Sequence, residues 1–312
     1  MSGPHASETP TAAVGVSDPG PPLRLRAIAC EVLARPLYLC AARSRNVVDV
    51  QFLRRGLHDT PPVLREQLQA EIDAASAADP PCDAVVLAYG LCGGATAGIE
   101  ARAVPLVLPR AHDCITLFLG GRSRYQAEFI AHPGTYWYAT DQVERVQAGD
   151  RAGLLGIGAT SDEELASVYG EYVAKYGKEN ADYLMEAMGA WRSHYDRAAF
   201  VDMGVGDSGD AERRARTEAD RRGWRFERLA GDLVLLRRLL DGDWAGDFLV
   251  LEPGQRLEMS YDEDVVRAAA EAAPRAAAAR VTNAVPGLEA APGADPAPGP
   301  DAAPRNASAR TH

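Results

Sequence analysis

Lysine is nearly missing. Of the 33 basic residues only Lys175 and Lys178 are lysines, and acidic residues outnumber basic ones for a net charge of −11. Non-specific nucleic-acid binding runs on Lys and Arg, so this balance argues against it. Long apolar runs are also lacking: none approaches the ~20 residues that span a bilayer, and no membrane span is expected. The first 22 residues have neither a basic start nor an apolar core, so they do not read as a secretory signal. Cysteine is sparse and odd in number, five in 312 residues. That fits a reducing, cytoplasmic setting with free or metal-bound thiols better than a disulfide framework. Gly-x-Ser-x-Gly, His-Glu-x-x-His, Cys-x-x-Cys and EF-hand patterns are all missing, which removes the simplest hydrolase, zinc-protease, dithiol and calcium readings.

What is present is enough apolar sequence for a real core: 46% of the residues are hydrophobic. Residues 1–22 are rich in Pro, Gly, Ser, Thr and Ala, and the chain from 256 to 312 turns Ala- and Pro-rich; both tails are expected to be largely disordered. Between them, apolar strand-like runs alternate with helical ones. Strands are expected at 23–29, 47–52, 84–89, 104–108, 135–140, 199–203, 224–228 and 248–251. Helices are expected after Cys30, from Pro61 to about 77, over 209–222 and over 232–240. Thr60-Pro61-Pro62 is a favourable helix start, with Pro where its missing N–H costs nothing. The block 141–196 holds eleven acidic and five basic residues; it reads as an inserted helical pair, 162–176 and 181–196, opened by a capping-box spacing at Ser161–Glu164 and broken at Gly177. The fold class is α/β, with mostly parallel sheet flanked by helices, Rossmann-like. The division is an α/β part over 23–160, a helical insertion or lid over 161–198 and a second α/β part over 199–255.

In open parallel sheets ligands gather at the carboxyl ends of strands. Cys30 follows the first strand, Cys92 follows the third, and His112 and Cys114 follow the fourth. If those strands are neighbours, three thiols and an imidazole converge. Such a set suits zinc or an iron–sulfur cluster. Around a single zinc the sulfurs would lie ~4 Å apart. Glu31 and Asp113 stand beside these ligands as partners or acid/base groups, and His112 is either fourth ligand or proton carrier. Gly90, Gly93 and Arg110 are candidates for holding a small anionic ligand or cofactor. Arg43, Arg45, Arg122 and Arg124 would join Arg110 in a clamp only if they converge, and His58 is a weaker site candidate. Without a metal, a Cys beside a His is a candidate activated nucleophile. Cys40 and Cys82 read as packing.

Several stretches together resemble the prokaryotic family called domain of unknown function 1638: Ile28-Ala29-Cys30-Glu31-Val32-Leu33, Val48-Asp49-Val50, Gly56-Leu57-His58-Asp59, Tyr89-Gly90-Leu91-Cys92, Pro133-Gly134-Thr135-Tyr136 and, most clearly, the segment from His112 to Gly120. The resemblance covers most of 26–252 and implies a cytosolic protein. Members of that family are often encoded beside corrinoid-dependent methyltransferases, which implies a link to one-carbon metabolism. Three readings follow: a metal-binding protein of unassigned reaction, a non-catalytic accessory that docks on a corrinoid protein or methyltransferase, and a metal-free cysteine-dependent enzyme.

Overall fold

A computed structural model describes residues 20–145, 169–170, 173–182 and 195–269. Four strands line up in parallel: β1 (Arg24–Cys30), β2 (Val47–Leu53), β3 (Ala84–Ala88) and β4 (Leu106–Pro109). β8 (Phe248–Leu251) closes the edge antiparallel to β4, for a spatial order β2-β1-β3-β4-β8. β3 and β4 are buried at every residue. Continuous apolar runs of this kind belong to strands covered on both faces.

The covering helices are α1 (Ala34–Arg43), α2 (Pro61–Ser76) and α7 (Val234–Asp241). α2 turns Leu64, Leu68, Ile72 and Ala75 inward, the helical spacing of a single apolar stripe. It packs on β1 and β3, whereas α7 packs on β3, β4 and α1. The chain moves from β1 to β2 in one direction and from β2 past β1 to β3 in the other. Right-handed crossovers therefore put α1 and α2 on opposite faces.

A second parallel sheet has the order β5-β6-β7: Thr135–Ala139, Arg197–Asp202 and Arg225–Ala230. α6 (Gly209–Arg222) covers it through Ala211, Ala215 and Ala219, small residues that let helix and sheet approach. Acidic residues open α6 and arginines close it, which suits the helix dipole. Between the sheets run α3 (Cys114–Leu119), α4 (Arg122–Ala131) and α5 (Thr140–Glu144).

The α/β class and the mostly parallel sheet match the sequence reading. The Rossmann-like expectation is met only as far as parallel strands with intervening helices. Two features were not foreseen. The last strand of the larger sheet is antiparallel. The chain past 255 also continues into a hairpin, β9 (Leu257–Met259) with β10 (Val266–Ala268), because Leu257 and Val266 are fully buried against the core. The expected helical pair lies mostly outside the described residues; over 173–182 the backbone is helical on either side of Gly177, which has φ +79°. The capping box at 161–164 also lies outside them. Among the described residues no helix is long and apolar enough to cross a membrane.

Candidate functional site

β1 lies between β2 and β3, so the chain leaves β1 and β3 in opposite directions. A crevice opens at the carboxyl ends of these two strands, the place where doubly wound sheets bind ligands. Here that crevice is a cavity of about 120 Å³, and Cys30, Cys92 and Cys114 all line it. The size is close to the ~150 Å³ that takes a benzene molecule.

Each thiol arrives by a different local device. Cys30 is the last residue of β1, paired with Leu53 of β2. Cys92 stands in a tight loop after β3 with φ +48°, in the left-handed region, where a non-glycine residue is held under strain by its surroundings. Two backbone bonds hold that loop to the one after β4: Leu91 N–H donates to the Ala111 carbonyl and Cys92 N–H to the His112 carbonyl, both 2.8 Å. Gly90 makes the approach possible, since a Cβ there would stand 2.6 Å from the Asp113 backbone. Cys114 opens α3, and the Asp113 carboxylate caps that helix by accepting from Ile115 N–H at 3.0 Å.

Burial sets the chemistry of the thiols. Desolvation pushes Cys30 up to about 11 and Cys92 up to about 12, and raises Cys114 well above the ordinary thiol value. Negative charge adds to the shift, from Cys30 at Cys92 and from Asp113 and the two neighbouring thiols at Cys114. Tyr89 also lines the cavity. It is 3% exposed, its hydroxyl lies against the Cys30 thiol, and it finds no hydrogen-bond partner of ordinary geometry. Burial and the two nearby thiols raise its pKa, so the phenol keeps its proton.

The other expected site residues are distributed as follows. Glu31 accepts from Arg55 N–H at 2.8 Å and lies 3.8 Å from Arg145, so it fixes the loop after β2 without lining the cavity. His112 contributes its carbonyl to the Cys92 loop, while its ring faces a separate, open groove and stacks on Tyr125 with centroids 5.7 Å apart. Arg110 donates to the Val266 carbonyl at 2.6 Å and ties down the β9–β10 hairpin. None of Arg43, Arg45, Arg110, Arg122 and Arg124 lines the cavity, so the five do not form a clamp there. Gly93 has φ +67° and open space around it. Cys40 is buried on α1, and Cys82 packs with its sulfur 3.6 Å from the Ala75 carbonyl. Among the described residues no group of three or more His, Cys, Asp or Glu side chains is placed so that it could hold a metal ion.

Five polar lining residues were not singled out as site candidates from the sequence: Arg54, Arg55, Tyr89, Tyr136 and Gln142. Arg54 and Arg55 directly follow β2, and the strand-end rule that found the cysteines finds them when applied to that strand. Tyr136 and Gln142 come from β5 and α5, and only the tertiary fold brings them here.

The family model described as "Protein of unknown function (DUF1638)" matches residues 52–240. The chain belongs to this family. The match includes Cys92, Cys114 and most of the cavity wall, while Cys30 lies before it. No curated protein and no solved structure matched the chain.

Proposed function

We propose that this DUF1638 protein carries an iron–sulfur cluster on Cys30, Cys92 and Cys114. The observation that carries the reading is the shared cavity: three thiols, set at or just after the carboxyl ends of three adjacent parallel strands, line one space. Soft thiolate donors suit iron–sulfur clusters and zinc alike. A structural zinc needs four donors around one point, and no such set stands among the described residues. A cluster asks less, because each thiolate binds a different iron and the three sulfurs need not converge on one atom. Cys30, Cys92 and Cys114 would hold such a cluster, which would supply a Lewis-acid or redox site.

The chain's own residues have definite tasks in this reading. Tyr89 lies against Cys30 and would donate its hydroxyl hydrogen to that sulfur or to a ligand in the cavity. Val32 and Leu64, both buried, exclude water from its floor. Asp113 holds Cys114 in place through the helix cap. A metal-free thiol enzyme fits less well. A nucleophilic cysteine needs a depressed pKa, whereas all three cavity thiols are raised.

Anaerobic reconstitution with iron and sulfide, followed by absorption and electron paramagnetic resonance spectroscopy, tests the proposal. Wild-type protein should show a cluster signature, and Cys92→Ala should lose or alter it. A protein that stays colourless and binds only zinc would contradict the reading.

A further inference from the structure

We infer that the mouth of the thiol-lined cavity binds the carboxylate of a small organic acid, and that Arg54, Arg55 and the Tyr89 hydroxyl recognise it. The inference rests on the cluster reading for what the acid faces at the cavity floor. The floor and the mouth differ in character. Cys30 and Tyr89 are buried, whereas Arg54 and His58 are exposed while lining the same space. The path from solvent to the thiols therefore passes two arginines and an imidazole. No Asp or Glu is among the described residues that line the cavity. Acids near the cavity are otherwise engaged: Asp59 lies 3.4 Å from His58, Glu31 accepts from the Arg55 backbone, and Asp113, which is felt at Cys92 and Cys114, accepts from Ile115 N–H and Tyr125.

In a chain of net charge −11, a cavity whose charged lining is all cationic selects anions. The positive charge reaches both walls: Arg55 is felt at Cys30 on one sheet and at Tyr136 on the other. Both arginines have partners of their own, so the anion joins existing networks. Tyr89 supplies the second, independent observation. Its buried hydroxyl lies against the Cys30 sulfur without a hydrogen bond of ordinary geometry, a costly arrangement that a ligand oxygen in the cavity would improve. The guanidinium fork suits carboxylate and phosphate equally. Size and lining favour the carboxylate. The cavity is about 120 Å³, and its walls include Val32, Leu57 and Leu64, which suit a short apolar body better than a fully hydrated phosphate.

Propionate, titrated by ligand-observed NMR into both cluster-free and reconstituted protein, is the test, with inorganic phosphate as the rival probe. Propionate should bind, and Arg55→Gln and Tyr89→Phe should each weaken it, by about tenfold for the arginine. Arg43→Gln, on the far end of α1, should leave binding unchanged. Circular dichroism of each variant separates lost binding from lost fold. Absence of propionate binding in both forms, or equal binding to folded Arg54→Gln and Arg55→Gln, would overturn the inference. Tighter, arginine-dependent binding of phosphate would overturn the carboxylate assignment. Arginine-dependent propionate binding in a protein that never takes up iron would uphold this site and sink the cluster. Iron uptake without propionate binding would do the reverse.

Discussion

Two glycines in one loop have different reasons to be glycine. At Gly90 the space is taken: a Cβ would sit 2.6 Å from the Asp113 Cα and N. Gly90→Ala should force the loops after β3 and β4 apart and cost about 1–3 kcal/mol, read as a lower urea midpoint. At Gly93 the space is open, but φ is +67°. Gly93→Ala should cost only the left-handed backbone penalty, about 1 kcal/mol. Equal midpoints for Gly90→Ala and wild type would mean that the two loops are not in contact as described. The sequence showed the cysteines at this scale because strand ends can be read from apolar runs that stop at Gly, Pro or polar residues. It did not show that the His112 ring points away from the thiols. That direction depends on the Tyr125 ring it stacks against, thirteen residues further along on α4.

The short helix α3 depends on its cap. Asp113 accepts from Ile115 N–H, and Tyr125 reaches the same carboxylate from α4 at 3.4 Å. Asp113→Ala should lower stability by about 1 kcal/mol, visible as a lower melting temperature, while Asp113→Asn keeps most of the cap. An unchanged melting temperature for the alanine variant would remove the cap from the account of how Cys114 is held. Among the elements, the longer helices were legible, 61–76 by its apolar stripe and 209–222 as a charged helix, and both fall within a residue or so of the expected spans. α3 and α4 were not marked. The first is too short to show a period, and the second is amphipathic only weakly, with no buried residue. The β9–β10 hairpin was missed because its two strands are only three residues each, too short to show an alternation, and lie next to the Ala- and Pro-rich tail.

At the scale of the whole molecule, the two parallel sheets are tied by a buried carboxylate. Asp141, 2% exposed, starts α5 beside the second sheet. It accepts from the Arg35 backbone and Nη1 on the first sheet's α1, both at 2.9 Å, and from Arg145 Nε at 3.0 Å. Asp141→Ala strips these bonds and leaves Arg35 with Glu144 and Arg145 with Glu31 as their remaining acidic partners. Because both guanidiniums are more than a third exposed, the loss should be about 2 kcal/mol rather than that of a fully buried pair. A urea midpoint equal to wild type would show that this contact does not hold the sheets together. The tie matters for the cavity, since Tyr136 and Gln142 come from the second sheet and the three cysteines from the first. No local pattern in the sequence could pair these walls; they meet through long-range contacts such as Arg35–Asp141, 106 residues apart.

The claim on which the rest depends is that Cys30, Cys92 and Cys114 act as one set and Cys40 and Cys82 do not. Iron and acid-labile sulfide, measured chemically after anaerobic reconstitution of the wild type and of all five single Cys→Ala variants, test it directly. Loss of bound iron in the variants at 30, 92 and 114, with wild-type content at 40 and 82, is the expected result. Equal iron content across all five variants, or none in any form including wild type, would contradict it.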